Sequence, residues 1–377
     1  MSKTQISSIF ADTISTIKRF PVPIILGFIL CVTQIYIARL SIDEIHQYDR
    51  DSAALALGAC LFISLRLFVD SLQMREVYYY AIGVPLFCLI VWYVTFGQAP
   101  YNSIFMMYMG LSLSILSAPF FGSNSDYRKL WTFNYRIFKS ICFAALVSFI
   151  ILTGVFTIAY AAQTLLGINI YEYFYTDTMI IALGFISPMI ILSSMNKNIS
   201  DIFVYPKAVR GLVTYVALPL LYIFGIILLC YGVKIYMDTS MIRGIPVSSL
   251  YIYLACYGMV VYFLGHPTYS ETGVIGFFVR RFFLMLLFPV LFLCLDLYYT
   301  IPDVGITNVV YIKLMLFLWF LLSVAFSFLR NAQEVPKFVL TSLALLCIAS
   351  SFGPWGIAHT PMQLPLKQIA PSTILEQ

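Results

Sequence analysis

Four carboxylates crowd one short stretch, Ser41 to Asp51: Asp43, Glu44, Asp49 and Asp51 fall within nine residues. Carboxylates that close can act as a general base or share a divalent cation through their oxygens. The same stretch also reads as a solvated acidic loop of about eleven residues. Histidines offer less. His46, His266 and His359 fall in three separate loops and cannot gather into one metal site. No Ser-x-x-Lys, Gly-x-Ser-x-Gly, phosphate-loop or dinucleotide-binding pattern occurs, so the residue types call for no catalytic residue, cofactor or metal. Prolines are the other residues with a mechanical consequence. Pro85, Pro119, Pro188, Pro219 and Pro289 lie within or near the ends of apolar blocks. Inside a helix a proline removes a donor and clashes with the carbonyl four residues earlier, and in hydrocarbon the freed carbonyl must find another partner. Pro188, Pro219 and Pro289 therefore mark either a solute site built on broken helices or ordinary kinked spans.

Ion-coupled transport needs ionisable groups near the bilayer centre. The charges within apolar blocks lie towards their ends instead. Arg66 and Asp70 are four residues apart and can pair along one helix face. Lys313 follows the start of its block by a few residues and can snorkel to the interface, Asp296 stands near the end of its own, and Lys139 opens a third. These read as interfacial anchors and local pairs.

The elements that must position these residues are set by hydropathy. Of 377 residues, 61% are hydrophobic and 10% charged, where a soluble domain carries roughly 25% charged. Too few polar residues remain to cover a water-soluble surface. The apolar residues come in blocks of about twenty, the length that crosses ~30 Å of hydrocarbon as a helix. The expected fold is all-α: a polytopic transmembrane helical bundle of about eleven spans. They run over residues 21–40, 52–70, 77–96, 101–121, 139–163, 177–195, 211–236, 247–264, 279–299, 309–329 and 336–353. The first is too long for a signal-peptide core and lacks a small-residue cleavage site after it, so it should stay as an anchor.

Positive charge orients the bundle. With the N-terminus inside, sixteen of the 22 lysines and arginines fall on the inner side and six on the outer, a bias kept loop after loop. The C-terminus then lies outside. The organisation follows: an inner N-terminal segment (1–20), a transmembrane region (21–353) and an outer tail (354–377). In the first of these, Ile6, Ile9, Phe10, Ile14 and Ile17 recur at helical spacing before Lys18 and Arg19, which suits a surface-lying helix as well as a frayed tail. Tyrosine clusters such as Tyr78 to Tyr80 and Tyr298-Tyr299 sit at span ends, as an interfacial aromatic belt requires. The partner implied is membrane lipid, and nothing points to nucleic acid.

Spans seven to ten carry a hint of duplication. Arg210 precedes Pro219 by nine residues and Arg280 precedes Pro289 by nine; Gly244-Ile245 leads to Tyr251, and Gly305-Ile306 leads to Tyr311. A parallel repeat of one hairpin and chance likeness of apolar segments both account for this.

The run Ser350-Ser-Phe-Gly-Pro-Trp-Gly356 at the end of the last block resembles a motif of domain-of-unknown-function family 4153. Tyr127 to Asn134, Pro206-Lys207 and Gly305 to Thr307 are similar to that family as well. The resemblance implies a multi-pass protein of a bacterial inner membrane and supplies no activity or catalytic residue. Members commonly continue into a soluble segment, which Gln363 to Gln377 would open here. Three functions stay in view. The first is a non-enzymatic membrane protein of envelope maintenance or signalling. The second is a transporter of a hydrophobic or amphipathic solute. The third is a lipid-linked-sugar glycosyltransferase using Asp43, Glu44, Asp49 and Asp51, an arrangement it resembles in position and sign.

Overall fold

The computed structural model describes residues 14–40, 42–121, 127–195, 205–237, 247–353 and 355–358, and among these every regular element is helical. We number the helices α1 Pro21–Ile37, α2 Ile42–Ser71, α3 Glu76–Phe96, α4 Tyr101–Phe120, α5 Tyr127–Leu166 and α6 Phe174–Met195. They continue with α7 Lys207–Lys234, α8 Val247–Gly265, α9 Val274–Val304, α10 Asn308–Leu329 and α11 Val335–Ser351. Among the described residues, nine helices are long and apolar enough to cross a membrane by length and composition, and α1 and α11 are shorter apolar helices of 17 residues each. Large apolar side chains such as Phe149, Ile158, Ile226 and Leu291 remain exposed along them. That is what hydrocarbon, rather than water, tolerates outside a bundle.

The chain forms two compact units, Met1–Phe203 and Val204–Gln377. In the first, α2 is the hub, packing against α1, α3 and α4. Its partner seam joins α5 to α6. Ser140, Ala144 and Ser148 recur every four residues on α5, a small-residue stripe that lets two helix backbones approach. The Ser140 hydroxyl donates to the Ile190 carbonyl at 3.2 Å and Ser148 to Ala182 at 3.2 Å, so moving eight residues up α5 moves eight down α6. That register is antiparallel. α5 itself has 40 residues, about 60 Å of helix, twice what the hydrocarbon needs. The segment Tyr127 to Asn134, expected ahead of its span, is the first two turns of this helix.

In the second unit, α8 lies between α7 and α9. Tyr251 stacks on Phe292 with centroids 4.6 Å apart, and Tyr262 on Phe282 at 5.0 Å, an antiparallel aromatic seam. Towards α7 the same helix uses hydroxyls: Tyr251 donates to the Leu228 carbonyl at 3.0 Å and Tyr257 to Ala217 at 3.1 Å. At the basic end of this unit, Arg210 forks onto both oxygens of Glu271 at 2.7 and 2.8 Å. Arg280 donates to the carbonyls of Tyr269 and Glu271, and His266 Nε2 lies 3.1 Å from the Ala332 carbonyl. The Tyr205 hydroxyl donates to Leu264, and burial pushes its pKa up to about 12, so it keeps its proton across the physiological range.

The run after α11 is a helix stop. Gly353 adopts φ 76°, a left-handed conformation suited to glycine. The chain then folds back. The Trp355 indole donates to the Ala349 carbonyl at 3.1 Å and the Ile357 amide to Ser350 at 2.9 Å, satisfying carbonyls the helix end leaves open. The Tyr311 hydroxyl of α10 donates to the Trp355 carbonyl, tying the turn down.

Candidate functional site

The acidic stretch is not a loop. Residues 42–51 open α2, placing Asp43, Glu44, Asp49 and Asp51 in its first three turns. Nothing between Ile42 and Leu57 breaks a helix, and Asp43 and Glu44 fall in the first turn, where negative charge is favoured by the backbone dipole. Their side chains lie outside the described residues. Asp51 is exposed and Asp49 half-buried, and the Asp49 carbonyl accepts from Ser52 at 2.8 Å. Among the described residues no group of three or more His, Cys, Asp or Glu could hold a metal ion. Of the histidines, His46 falls on the same helix and His266 closes α8 in a buried turn, while His359 lies outside the described residues.

The three prolines part company. Pro188 and Pro219 each stand two residues past a widened π turn, Ala182–Ile186 in α6 and Val213–Ala217 in α7. Without an N–H, each proline would leave the carbonyl four residues back unpaired and crowd it. Widening the turn absorbs both effects: Ser187 N–H reaches the Ala182 carbonyl and Leu218 N–H reaches Val213. Around Pro188 the serines add polar support. The Ser148 and Ser187 hydroxyls lie 2.7 Å apart, both within reach of the Ala182 carbonyl. Pro289 behaves otherwise, sitting inside the continuous helix α9. The backbones at Pro219 and Pro289 are therefore unlike.

Pro289, unlike Pro219, borders a cavity. This cavity, of about 390 Å³, lies among α7, α8 and α9. Pro289 lines it with Phe278, Phe282 and Met285 of α9, and Leu221 and Tyr222, just beyond Pro219, line it from α7. Two glycines shape it. A Cβ on Gly258 would press on the Phe282 ring, so glycine permits that close approach, whereas nothing lies within 4 Å of the Cβ position of Gly225. Among the lining side chains the Tyr222 hydroxyl is the one oxygen. At the rim, Ile226 is 62% and Leu229 51% exposed, so the cavity opens sideways on the apolar flank of α7. Its size falls within the range of small-molecule pockets, roughly 300–1,000 Å³. Among the lining side chains water meets only the Tyr222 hydroxyl, short of the two to four polar neighbours that a buried water needs. The chemistry on offer is the accommodation of hydrocarbon.

Charged pairs supply the features that spacing alone did not bring together. Lys313 of α10 reaches Asp296 of α9 at 3.1 Å, with side chains only 13% and 18% exposed, and Thr300 adds a 3.5 Å contact to the same carboxylate. Read separately as interfacial anchors, the two form a cross-helix pair; their opposite signs near adjoining span ends were the available signal. Arg66 and Asp70 do pair along α2 at 3.3 Å. The network is larger: Arg19 forks onto Asp70 at 2.8 and 3.1 Å and donates to the Met195 carbonyl, while Arg66 also meets Glu76 at 3.1 Å. Residues 14–19 are helical, with Ile14 and Ile17 exposed and Thr16 and Phe20 buried, so the N-terminal segment is anchored at its end; residues 1–13 lie outside the described residues.

Helices of this length and hydropathy, with apolar side chains outward and several of their charges paired, define a multi-pass α-helical membrane protein. No family model matches the chain, and neither a curated protein nor a solved structure matches it.

Proposed function

We propose that the chain is a non-enzymatic multi-pass protein of a bacterial inner membrane that accommodates the apolar part of a hydrophobic or amphipathic solute between α7, α8 and α9. The observation that carries this reading is the cavity itself: apolar, pocket-sized and opening on a helix flank that would face acyl chains. A void of that size forfeits dispersion contacts on every wall, so hydrocarbon entering from the bilayer is favoured over emptiness. Nine helices long and apolar enough to cross and two shorter apolar ones among the described residues support the reading of eleven spans, and the bias of basic residues supports an inner N-terminus and an outer C-terminus. The Phe352 to Gly356 run supports kinship with domain-of-unknown-function family 4153 and, through it, a place in a bacterial inner membrane; a role in envelope maintenance or signalling is part of the same reading.

The test is to fill the space. Gly225→Phe should cut the lipid retained by the purified protein, counted by native mass spectrometry, at least severalfold while the melting temperature holds or rises. Undiminished retention in a folded Gly225→Phe protein would remove the cavity from the account.

A further inference from the structure

The cavity has a charged neighbour that nothing else in the unit uses. On α9 the lining residues Phe278, Phe282, Met285, Leu286, Phe288 and Pro289 occupy one arc of the helix. At roughly 100° per residue, Arg281 falls towards one edge of that arc, close to the line of Phe288 and roughly 60° from that of Phe278. From Arg281 to Pro289 is eight residues, about 12 Å along the axis. The other arginines of this corner are committed. Arg210 is forked onto Glu271, and Arg280 holds the carbonyls of Tyr269 and Glu271. Arg281 is exposed and, among the described residues, has neither an acidic nor a carbonyl partner. It stands where the helix turns continuously apolar, from Phe282 to Leu295. A cation at that depth faces the headgroup layer while the wall beyond it faces acyl chains.

We propose that the occupant of the cavity is an anionic phospholipid, its phosphate held by Arg281 and an acyl chain laid between α7 and α9. This rests on the cavity reading given above and adds the headgroup. The guanidinium offers a planar fork matched to phosphate oxygens, and a free arginine beside an apolar slot complements a molecule with a negative head and a hydrocarbon tail. A zwitterionic lipid would fill the slot equally well but place its own cation near Arg281.

The test offers the full-length protein an equal mixture of phosphatidylglycerol and phosphatidylcholine with identical chains, and reads the retained species by native mass spectrometry. The wild type should favour phosphatidylglycerol by about fivefold, the discrimination one basic residue near a headgroup supplies. Arg281→Gln should bring the ratio close to one with total lipid unchanged, and Arg281→Lys should keep most of the preference. Gly225→Phe should reduce both lipids together. A preference that survives Arg281→Gln would overturn the headgroup assignment while leaving the cavity reading intact. Unchanged total lipid in Gly225→Phe would overturn the acyl-chain placement whatever Arg281 does.

Discussion

A lysine 3.1 Å from an aspartate, both largely buried on helices that span a membrane, is a costly arrangement that holds only as a pair. Removing one partner leaves a charge that hydrocarbon disfavours, whereas removing both leaves neither. Lys313→Met should therefore lower unfolding stability by about 3 kcal/mol, and Lys313→Met with Asp296→Asn should recover most of that. Thermal melting of the purified variants checks it: a double variant as unstable as the single one would mean that the two side chains are not coupled. Asp70 differs because it answers to two arginines, Arg19 and Arg66. The i,i+4 relation of Arg66 to Asp70 was legible from spacing. The contact with Arg19, 51 residues away, was not, because only packing brings the N-terminal segment against the end of α2.

The helices themselves were largely legible, because blocks of about twenty apolar residues have one economical structure in lipid. Two boundaries were not. The acidic residues after Ser41 look like a loop by hydropathy, yet a segment free of glycine and proline continues the helix, and the same reasoning carries α5 back to Tyr127. Hydropathy marks where a helix meets water, not where it ends. The prolines were visible as disturbances. Whether each widened a turn or was absorbed could not be read from the residue alone, since it depends on neighbours such as Ser148. The cavity left no sequence signal either: Gly225 matters because nothing faces it, and an absence of neighbours is a property of packing. The α5–α6 seam yields its own expectation. Ser148→Ala keeps the small-residue contact but deletes the hydroxyl bridging Ser187 and Ala182, and should cost about 0.6 kcal/mol, the usual worth of one interhelical hydrogen bond in a membrane. Ser148→Leu should cost more, by forcing the helices apart. Equal melting temperatures for Ser148→Leu and the wild type would mean that the seam is not closely packed.

For the molecule as a whole, the lipid site between α7 and α9 depends on how many times the chain crosses. An acyl chain reaches the α7–α9 cavity only if those helices lie in the bilayer, and Arg281 meets inner-leaflet headgroups only if the basic ends face inward. The 17-residue helices α1 and α11 are the sensitive elements, since α1 decides the side of every later loop. Span count and orientation can be read at two exposed turns, Glu172 between α5 and α6 and Gln333 between α10 and α11. The most direct measurement places single cysteines there, Glu172→Cys and Gln333→Cys, after replacing the eight native cysteines. Labelling with a membrane-impermeant thiol reagent is then compared in intact and permeabilised cells. Eleven spans with an inner N-terminus predict that Cys at 172 reacts in intact cells and Cys at 333 only after permeabilisation. Reaction at 333 and protection at 172 in intact cells would contradict the account, showing either that α1 does not cross or that the bundle is inverted.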